Sequence, residues 1–365
     1  MYRSRIKRLK ALLQRKKLDA ILISQPDNRR YLSGYSAKDH GIQESAGFLL
    51  IPAAGKPFLL TDARFVLQAE QETAGFTIAL YNKGLIKLLK KLLPREDLRS
   101  LAFESQYMLH ATHAKMLRMA DKHSLELVPV TDVVEKMRLI KTDEELSLLR
   151  ASTRLNEQVF LSVYPDIAPG ISEQEVALTI ERTMREMGAE GPSFETIVAF
   201  GPNAAKPHAV PGDRVLQQGD IVLIDMGLVY KGYCSDMTRT FVVGKPDGVY
   251  KKRHQLVRKA QLAGIQALRP GVTGREVDQA ARRILADAGY GKNFQHSLGH
   301  GVGMAVHEEP RLSTASRTKL QPGMVVTIEP GLYIPQWGGI RLENMACITP
   351  DGCEVLNHDG TGLDL

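Results

Sequence analysis

An internal repeat in the C-terminal part of the chain limits the fold more than any other feature. Ser172-x-x-Glu175 opens a helical segment that runs to Gly188. Thr273-x-x-Glu276 opens another, 101 residues further on, that runs to Gly289. Both are capping boxes, in which hydroxyl and glutamate satisfy backbone N–H groups that a first helical turn leaves unpaired. The apolar stretches that follow Gly219 and Gly323 lie 104 residues apart, and each ends on an acid, Asp225 and Glu329, again 104 apart. A second acid follows in each copy, Asp236 and Glu343, at an offset of 107. Four landmarks in register predict two related helix–helix–hairpin halves that bring four carboxylates to a shared axis.

The strands around those acids explain why they matter. Ile221-Val222-Leu223-Ile224 is apolar at consecutive positions, which predicts a strand covered on both faces. An ionised Asp225 at its end is costly unless it is paired or ligated. The turn signal Lys231-Gly232 lies between Asp225 and Asp236, which predicts a hairpin with the two acids roughly across from each other. Two carboxylates that close repel one another unless cations lie between them. In the other half, Val325-Val326-Thr327-Ile328 leads to Glu329, and residues 339–343 are expected to return as the partner strand carrying Arg341 and Glu343. His300 sits among Gly299, Gly301 and Gly303, where the backbone can approach a site closely. Four carboxylates and one imidazole form a hard, oxygen-rich set that can bridge two divalent ions, and it suits Mn²⁺ better than a thiolate site suits Zn²⁺. Any one of these acids alone could equally be a salt-bridged strand residue; five groups in matching halves favour metal.

A chain of 365 residues suits two domains. Residues 1–131 read as a small α/β unit that alternates helical and strand segments, and residues 132–365 as the repeat-bearing unit. A capping box at Thr142 and Glu145 opens the long first helix of that second unit. The overall class is therefore α+β. Three cysteines, Cys234, Cys347 and Cys353, include no CxxC pair and argue against a disulfide framework. The sequence holds no apolar run of the roughly 18 residues that span a bilayer, and the basic N-terminus leads into no signal-peptide core. A cytoplasmic address and no membrane partner are expected. The net charge of +7 is scattered rather than interleaved with aromatics, so no nucleic-acid partner is expected either.

Six segments of the second unit resemble the creatinase/aminopeptidase P/prolidase family of pita-bread metallopeptidases. They are Ile221-Val-Leu-Ile-Asp-Met-Gly, Gly232-Tyr-Cys-Ser-Asp-Met-Thr-Arg-Thr, His296-Ser-Leu-Gly-His-Gly-Val-Gly, Val306-His-Glu-Glu-Pro, Val326-Thr-Ile-Glu-Pro-Gly and Gly339-Ile-Arg-Leu-Glu-Asn. Residues 19–35 resemble the family's smaller creatinase-like domain, so the likeness covers nearly the whole chain.

The resemblance implies a pita-bread catalytic domain behind a creatinase-like domain. It also implies a hydrolase that cleaves the Xaa–Pro peptide bond, with two metal ions, Mn²⁺ first and Co²⁺ or Zn²⁺ next. Asp225 would bind one ion and His300 and Glu329 the other, with Asp236 and Glu343 bridging. His208, His307 and Glu329 take the catalytic positions; His296, Arg311 and Arg341 line the substrate. A peptide with proline second is the implied partner, and a homodimer the implied assembly. Aminopeptidase action on longer peptides is the leading expectation. Xaa-Pro dipeptidase action is the alternative, towards which Arg311 leans as a partner for a dipeptide carboxylate. A metal-free binding protein on the same fold is the third reading, and it fits poorly with a complete ligand set. Asn344 and Lys206 depart from residue types common in the family, and neither is a ligand.

Overall fold

A computed structural model describes residues 1–41 and 43–358. The chain divides into two compact units, Met1–Met137 and Arg138–Leu365.

The first unit is built on strands β1 (Ala20–Ile23), β2 (Phe48–Pro52), β3 (Phe58–Thr61), β4 (Thr77–Leu80), β5 (Ser100–Glu104) and β6 (Glu126–Val130). They form one mixed sheet in the order β4-β3-β2-β1-β5-β6. Helices α1 (Tyr2–Arg15), α2 (Pro26–Ser33), α3 (Val66–Glu72), α4 (Leu85–Arg95) and α5 (His110–His123) complete it. In α4 the apolar stripe Leu89, Leu92 and Leu93 is buried against the sheet, while Lys87, Lys90 and Lys91 are exposed. The basic run is thus the wet side of an amphipathic helix.

The division falls at Met137 rather than at residue 131. Val134 and Met137 are buried, Tyr31 donates its hydroxyl hydrogen to the Met137 carbonyl at 3.1 Å, and Asn28 donates to Glu135 at 2.7 Å. Residues 134–137, in and just before the short helix α6 (Glu135–Arg138), therefore pack as part of the first unit.

The second unit begins with α7 (Asp143–Val163) and α8 (Glu173–Glu186), followed by β7 (Gly191–Pro192), β8 (Ile197–Phe200), β9 (Ile221–Met226), β10 (Leu228–Tyr230), β11 (Tyr233–Cys234) and β12 (Met237–Val242). Next come α9 (Gly248–Ala267), α10 (Gly274–Asp287), β13 (Gly299–Gly301), β14 (Glu308–Leu312) and β15 (Val325–Ile328). The last strands are β16 (Gly331–Ile334), β17 (Gly338–Arg341), β18 (Asn344–Thr349) and β19 (Gly352–Val355). All three capping boxes form, at Thr142, Ser172 and Thr273.

The repeat is visible strand by strand. Antiparallel β9 and β12 enclose the small hairpin β10–β11, and antiparallel β15 and β18 enclose the small hairpin β16–β17. Lys231 and Gly232 both adopt left-handed φ, 47° and 82°, as the two-residue turn of β10–β11 requires. The strand that returns along β15 is β18, not residues 339–343, of which 339–341 pair instead with β16. Proline accounts for the difference: Pro330 has no N–H to continue the ladder, so the chain leaves β15 at Ile328.

Strand β9 is covered on both sides, with alternate residues in different clusters. Ile221 and Leu223 pack with Val257, Ala260, Val277 and Ala281 of α9 and α10. Val222 and Ile224 pack with Val159, Phe160, Val176 and Ile180 of α7 and α8. Each Val, Leu, Ile or Phe side chain among them, fully buried, contributes roughly 1.5–3 kcal/mol. The period of two then puts Asp225 on the Ile221/Leu223 side, towards the second half.

Candidate metal centre

All five expected ligands line one cavity of about 640 Å³ in the second unit. Asp225 is the penultimate residue of β9, Asp236 precedes β12, Glu329 follows β15, Glu343 precedes β18, and His300 is the middle residue of β13. Asp236, His300 and Glu343 are all buried, and each offers a ligand atom within 4.8 Å of the others. His300 Nε2 lies 3.6 Å from Asp236 and 3.4 Å from Glu329. Its Nδ1 donates to the Gly301 carbonyl at 3.2 Å, which leaves Nε2 as the lone-pair nitrogen facing the acids. That is the tautomer a metal needs.

The arrangement is electrostatically incomplete without cations. Burial, followed by the charges of Glu343, Asp225 and Glu329, drives the Asp236 carboxyl well above its ordinary range. Burial, followed by the charges of Glu329 and Asp225, does the same to Glu343. Glu329 is pushed by burial up to about 8. Asp225 Oδ1 and Glu343 Oε1 are buried with no hydrogen-bond partner. Orphaned anionic oxygens pointing into a crowd of acids fit a divalent metal and little else.

Among the described residues, Arg341 is the buried cation that pairs directly with an acid of this cluster. Its Nη2 donates to Asp225 at 2.7 Å, Nε to the Thr238 hydroxyl at 3.0 Å, and Nη1 to the Tyr333 hydroxyl at 2.7 Å and the Pro207 carbonyl at 3.1 Å. Arg341 is 3% exposed, and four of the five guanidinium N–H groups are engaged by the protein. Arg341 thus orients Asp225 directly and reaches Glu343 through Thr238, while it also lines the cavity. His296 is tied in similarly. Its Nε2 accepts from Tyr333 at 2.8 Å, its Nδ1 donates to the Ser297 carbonyl at 2.8 Å, and burial lowers its pKa to about 4. It is a neutral link in a hydrogen-bond chain on the cavity wall.

His208, His307 and Arg311 line the same cavity and are exposed to it. The His307 ring stands edge-on to His300, with centroids 4.3 Å apart and planes at 87°. Burial, then the charge of Arg311, keeps His307 below its usual pKa, so it is neutral and retains one N–H to donate. Glu308 anchors the turn before it by accepting from Ala305 N at 3.0 Å and pairing with Arg138 and with Lys141 at 3.4 Å.

Thr238, Thr327 and Tyr333 escaped the sequence reading. Thr238 stands two residues after Asp236, and Thr327 two before Glu329. The strand period of two could have placed each on its acid's face. Tyr333 lies in the short β16 hairpin, and no spacing pointed to it.

In the metal-free chain these shifts set a pH dependence. The acids hold protons more tightly folded than unfolded, so the stability they give at low pH is lost as pH rises through their raised pKa values. His296 and His300, lowered by burial to about 4 and about 3, act oppositely and lose stability only as pH falls below 6.5. Between pH 6.5 and about 8 the acids act alone. The melting temperature of metal-free protein should therefore fall across that interval in scanning calorimetry, and saturating Mn²⁺ should flatten or reverse the slope. A metal-free Tm that rises from pH 6.5 to 8 would contradict the electrostatics of the cluster.

Residues 147–350 match metallopeptidase family M24, and residues 5–140 match the creatinase/prolidase N-terminal domain. The chain is 35% identical to an Xaa-Pro dipeptidase of Pyrococcus horikoshii over 96% of both chains. It superposes on an Xaa-Pro dipeptidase from Bacillus anthracis with a TM-score of 0.89, at 36% identity, covering 98% of this chain and 97% of that one. An X-Pro aminopeptidase from Thermotoga maritima superposes with the same TM-score of 0.89, at 33% identity and 97% coverage of each chain. A pita-bread domain with a creatinase-type N-terminal domain and a buried acid–histidine centre makes this chain a member of the M24 metallopeptidases.

Proposed function

We propose that the protein is a dinuclear-metal Xaa-Pro dipeptidase, in preference to the aminopeptidase reading that the sequence put first. Mn²⁺ is the proposed metal, with Co²⁺ and Zn²⁺ as alternatives. The observation that carries the dipeptidase reading is the exposed guanidinium of Arg311 in the same cavity as His208 and His307. A dipeptide ends in a carboxylate immediately after its scissile bond, and a planar guanidinium fork suits that group. Relatives named Xaa-Pro dipeptidase support the same choice.

Asp225, Asp236, His300, Glu329 and Glu343 would hold the ions, with Asp236 and Glu343 shared. Two divalent ions at such a site supply a water of lowered pKa and Lewis acidity towards the carbonyl. The remaining chemistry falls to the chain. Glu329 has Oε1 held by Thr327 at 3.2 Å, so Oε2 is the oxygen placed to take the water's proton and pass it to the departing proline nitrogen. Neutral His307 donates its N–H to the oxygen that gains charge as the carbonyl carbon becomes tetrahedral. His208, on the same cavity wall, steadies the substrate on the proline side. Arg311 binds the terminal carboxylate and sets the length of peptide accepted.

Kinetics on Xaa-Pro beside Xaa-Pro-Xaa test this. The dipeptide should be the better substrate, and Arg311→Met should raise its KM by about ten- to a hundredfold, the worth of a charge-assisted hydrogen bond. The tripeptide should be affected far less. Equal rates on both peptides, with no change in Arg311→Met, would return the reading to an aminopeptidase. The structure also bears on address: among the described residues no helix is long and apolar enough to cross a membrane, and the three cysteines are free thiols. Free thiols support the cytoplasm as part of the proposal.

A further inference from the structure

Two threonine hydroxyls, one from each half, stand behind the two glutamates of the centre. Thr238 and Thr327 are both fully buried. Thr327 Oγ1 accepts the backbone N–H of His300 at 3.1 Å and donates to Glu329 Oε1 at 3.2 Å. Thr238 Oγ1 accepts Nε–H of Arg341 at 3.0 Å and donates to Glu343 Oε2 at 2.7 Å. A hydroxyl has a single hydrogen. Once an N–H points at the oxygen, that hydrogen must turn away from it, and in both cases the carboxylate is the acceptor it meets. Each threonine is therefore a one-way relay that pins one carboxylate oxygen. The other oxygen is left to the cavity side: Glu343 Oε1 is buried and has no hydrogen-bond partner.

The backbone is shaped to permit the first relay. A Cβ on Gly299 would lie 2.0 Å from the Thr327 carbonyl oxygen and 2.9 Å from its hydroxyl. Only glycine lets β13 approach β15 closely enough for the next residue, His300, to give its N–H to Thr327. One hydroxyl thus fixes the His300 backbone and the Glu329 carboxylate in a common frame.

We propose that Thr327 and Thr238 are positioning residues that hold Glu329 and Glu343 in their ligating orientation and so set the affinity for divalent cations. This rests on the dinuclear reading above. Thr327 acts on the glutamate assigned to one ion, and Thr238 on the glutamate assigned to both. Their removal should therefore leave different signatures.

Thr→Val keeps the shape and removes the hydroxyl, while Thr→Ser keeps the hydroxyl. Calorimetric titration of metal-free full-length protein with Mn²⁺ should resolve two uptake steps in the wild type. Thr327→Val should weaken one step by about 10–100-fold, the usual effect of losing a group that orients a ligand, and spare the other. Thr238→Val should weaken both. The Ser variants should titrate like wild type, and the visible absorption of Co²⁺-loaded protein should change in the Val variants only. Should a Val variant fail to fold, by circular dichroism, the corresponding Thr→Ala, which adds no bulk, is titrated in its place. Mn²⁺ uptake by both Val variants with wild-type affinities would overturn this inference and leave the metal reading standing. So would equal loss in the Ser variants, which would exclude the hydroxyl as the cause. No uptake by the wild type would overturn the metal reading itself, and this inference with it.

Discussion

Asp236→Asn is expected to cut kcat/KM on an Xaa-Pro dipeptide by about a thousandfold or more, exceeding the loss from a single oxyanion donor. The carboxylate is 4% exposed and stands among Asp225, Glu329, Glu343 and His300. Asparagine matches its size but offers no charge to ions that it would bridge. The same substitution should move stability the other way. In metal-free protein at neutral pH the acids repel one another, so removing one should raise the melting temperature. With Mn²⁺ present the wild type should gain more than the variant. Paired thermal melts with and without Mn²⁺, run beside steady-state kinetics, check both halves. A variant that is less stable without metal and still active would mean that Asp236 is an ordinary structural acid.

Arg341→Met is expected to destabilise the second unit by about 3–5 kcal/mol, because it removes the buried cation that pairs with Asp225 in this set of acids. Four hydrogen bonds are lost with the guanidinium, to Asp225, Thr238, Tyr333 and Pro207. The Tyr333–His296 link at 2.8 Å loses its outer support as well. Arg341→Lys should recover only part of the loss. A lysine keeps the charge, but its compact ammonium cannot replace a planar fork that reaches a carboxylate, two hydroxyls and a carbonyl at once. Denaturant melts give the stability, and metal titration shows whether Asp225 still holds its orientation. A lysine variant that matches wild type in both would reduce Arg341 to a simple counter-charge.

Much of this site could be read before any coordinates, and the reason is specific. Buried strands must be apolar, so Asp225 after Ile221-Val222-Leu223-Ile224 stands out as an expensive exception, and Glu329 does the same in the other half. Capping boxes at Ser172 and Thr273 mark helix starts through local hydrogen bonds that need no tertiary context, and they form where the spacing places them. The glycines around His300 similarly announce a close backbone approach. What stayed hidden depends on contacts between distant segments. Arg341 lies two residues from Glu343 in sequence yet pairs with Asp225, because β17 belongs to the inner hairpin and faces β9's end. His296 carries no local sign that Tyr333, far along the chain, will occupy its Nε2. The unit boundary was placed early because residues 134–137 look like linker, and only their packing against Tyr31 and Asn28 assigns them to the first unit. Substrate length was the least legible property: in the proposed reading it rests on where Arg311 stands in the cavity, and a strand pattern carries no record of that.

Anomalous scattering from a crystal grown with Mn²⁺, collected on both sides of the manganese edge, puts the convergence of the two halves to the test. Two peaks are expected in the cavity. Asp225, Asp236 and Glu343 should surround one, and Asp236, His300, Glu329 and Glu343 the other. A single peak touching acids from only one half, or metal bound elsewhere while these acids pair with Arg or Lys, would contradict the shared centre.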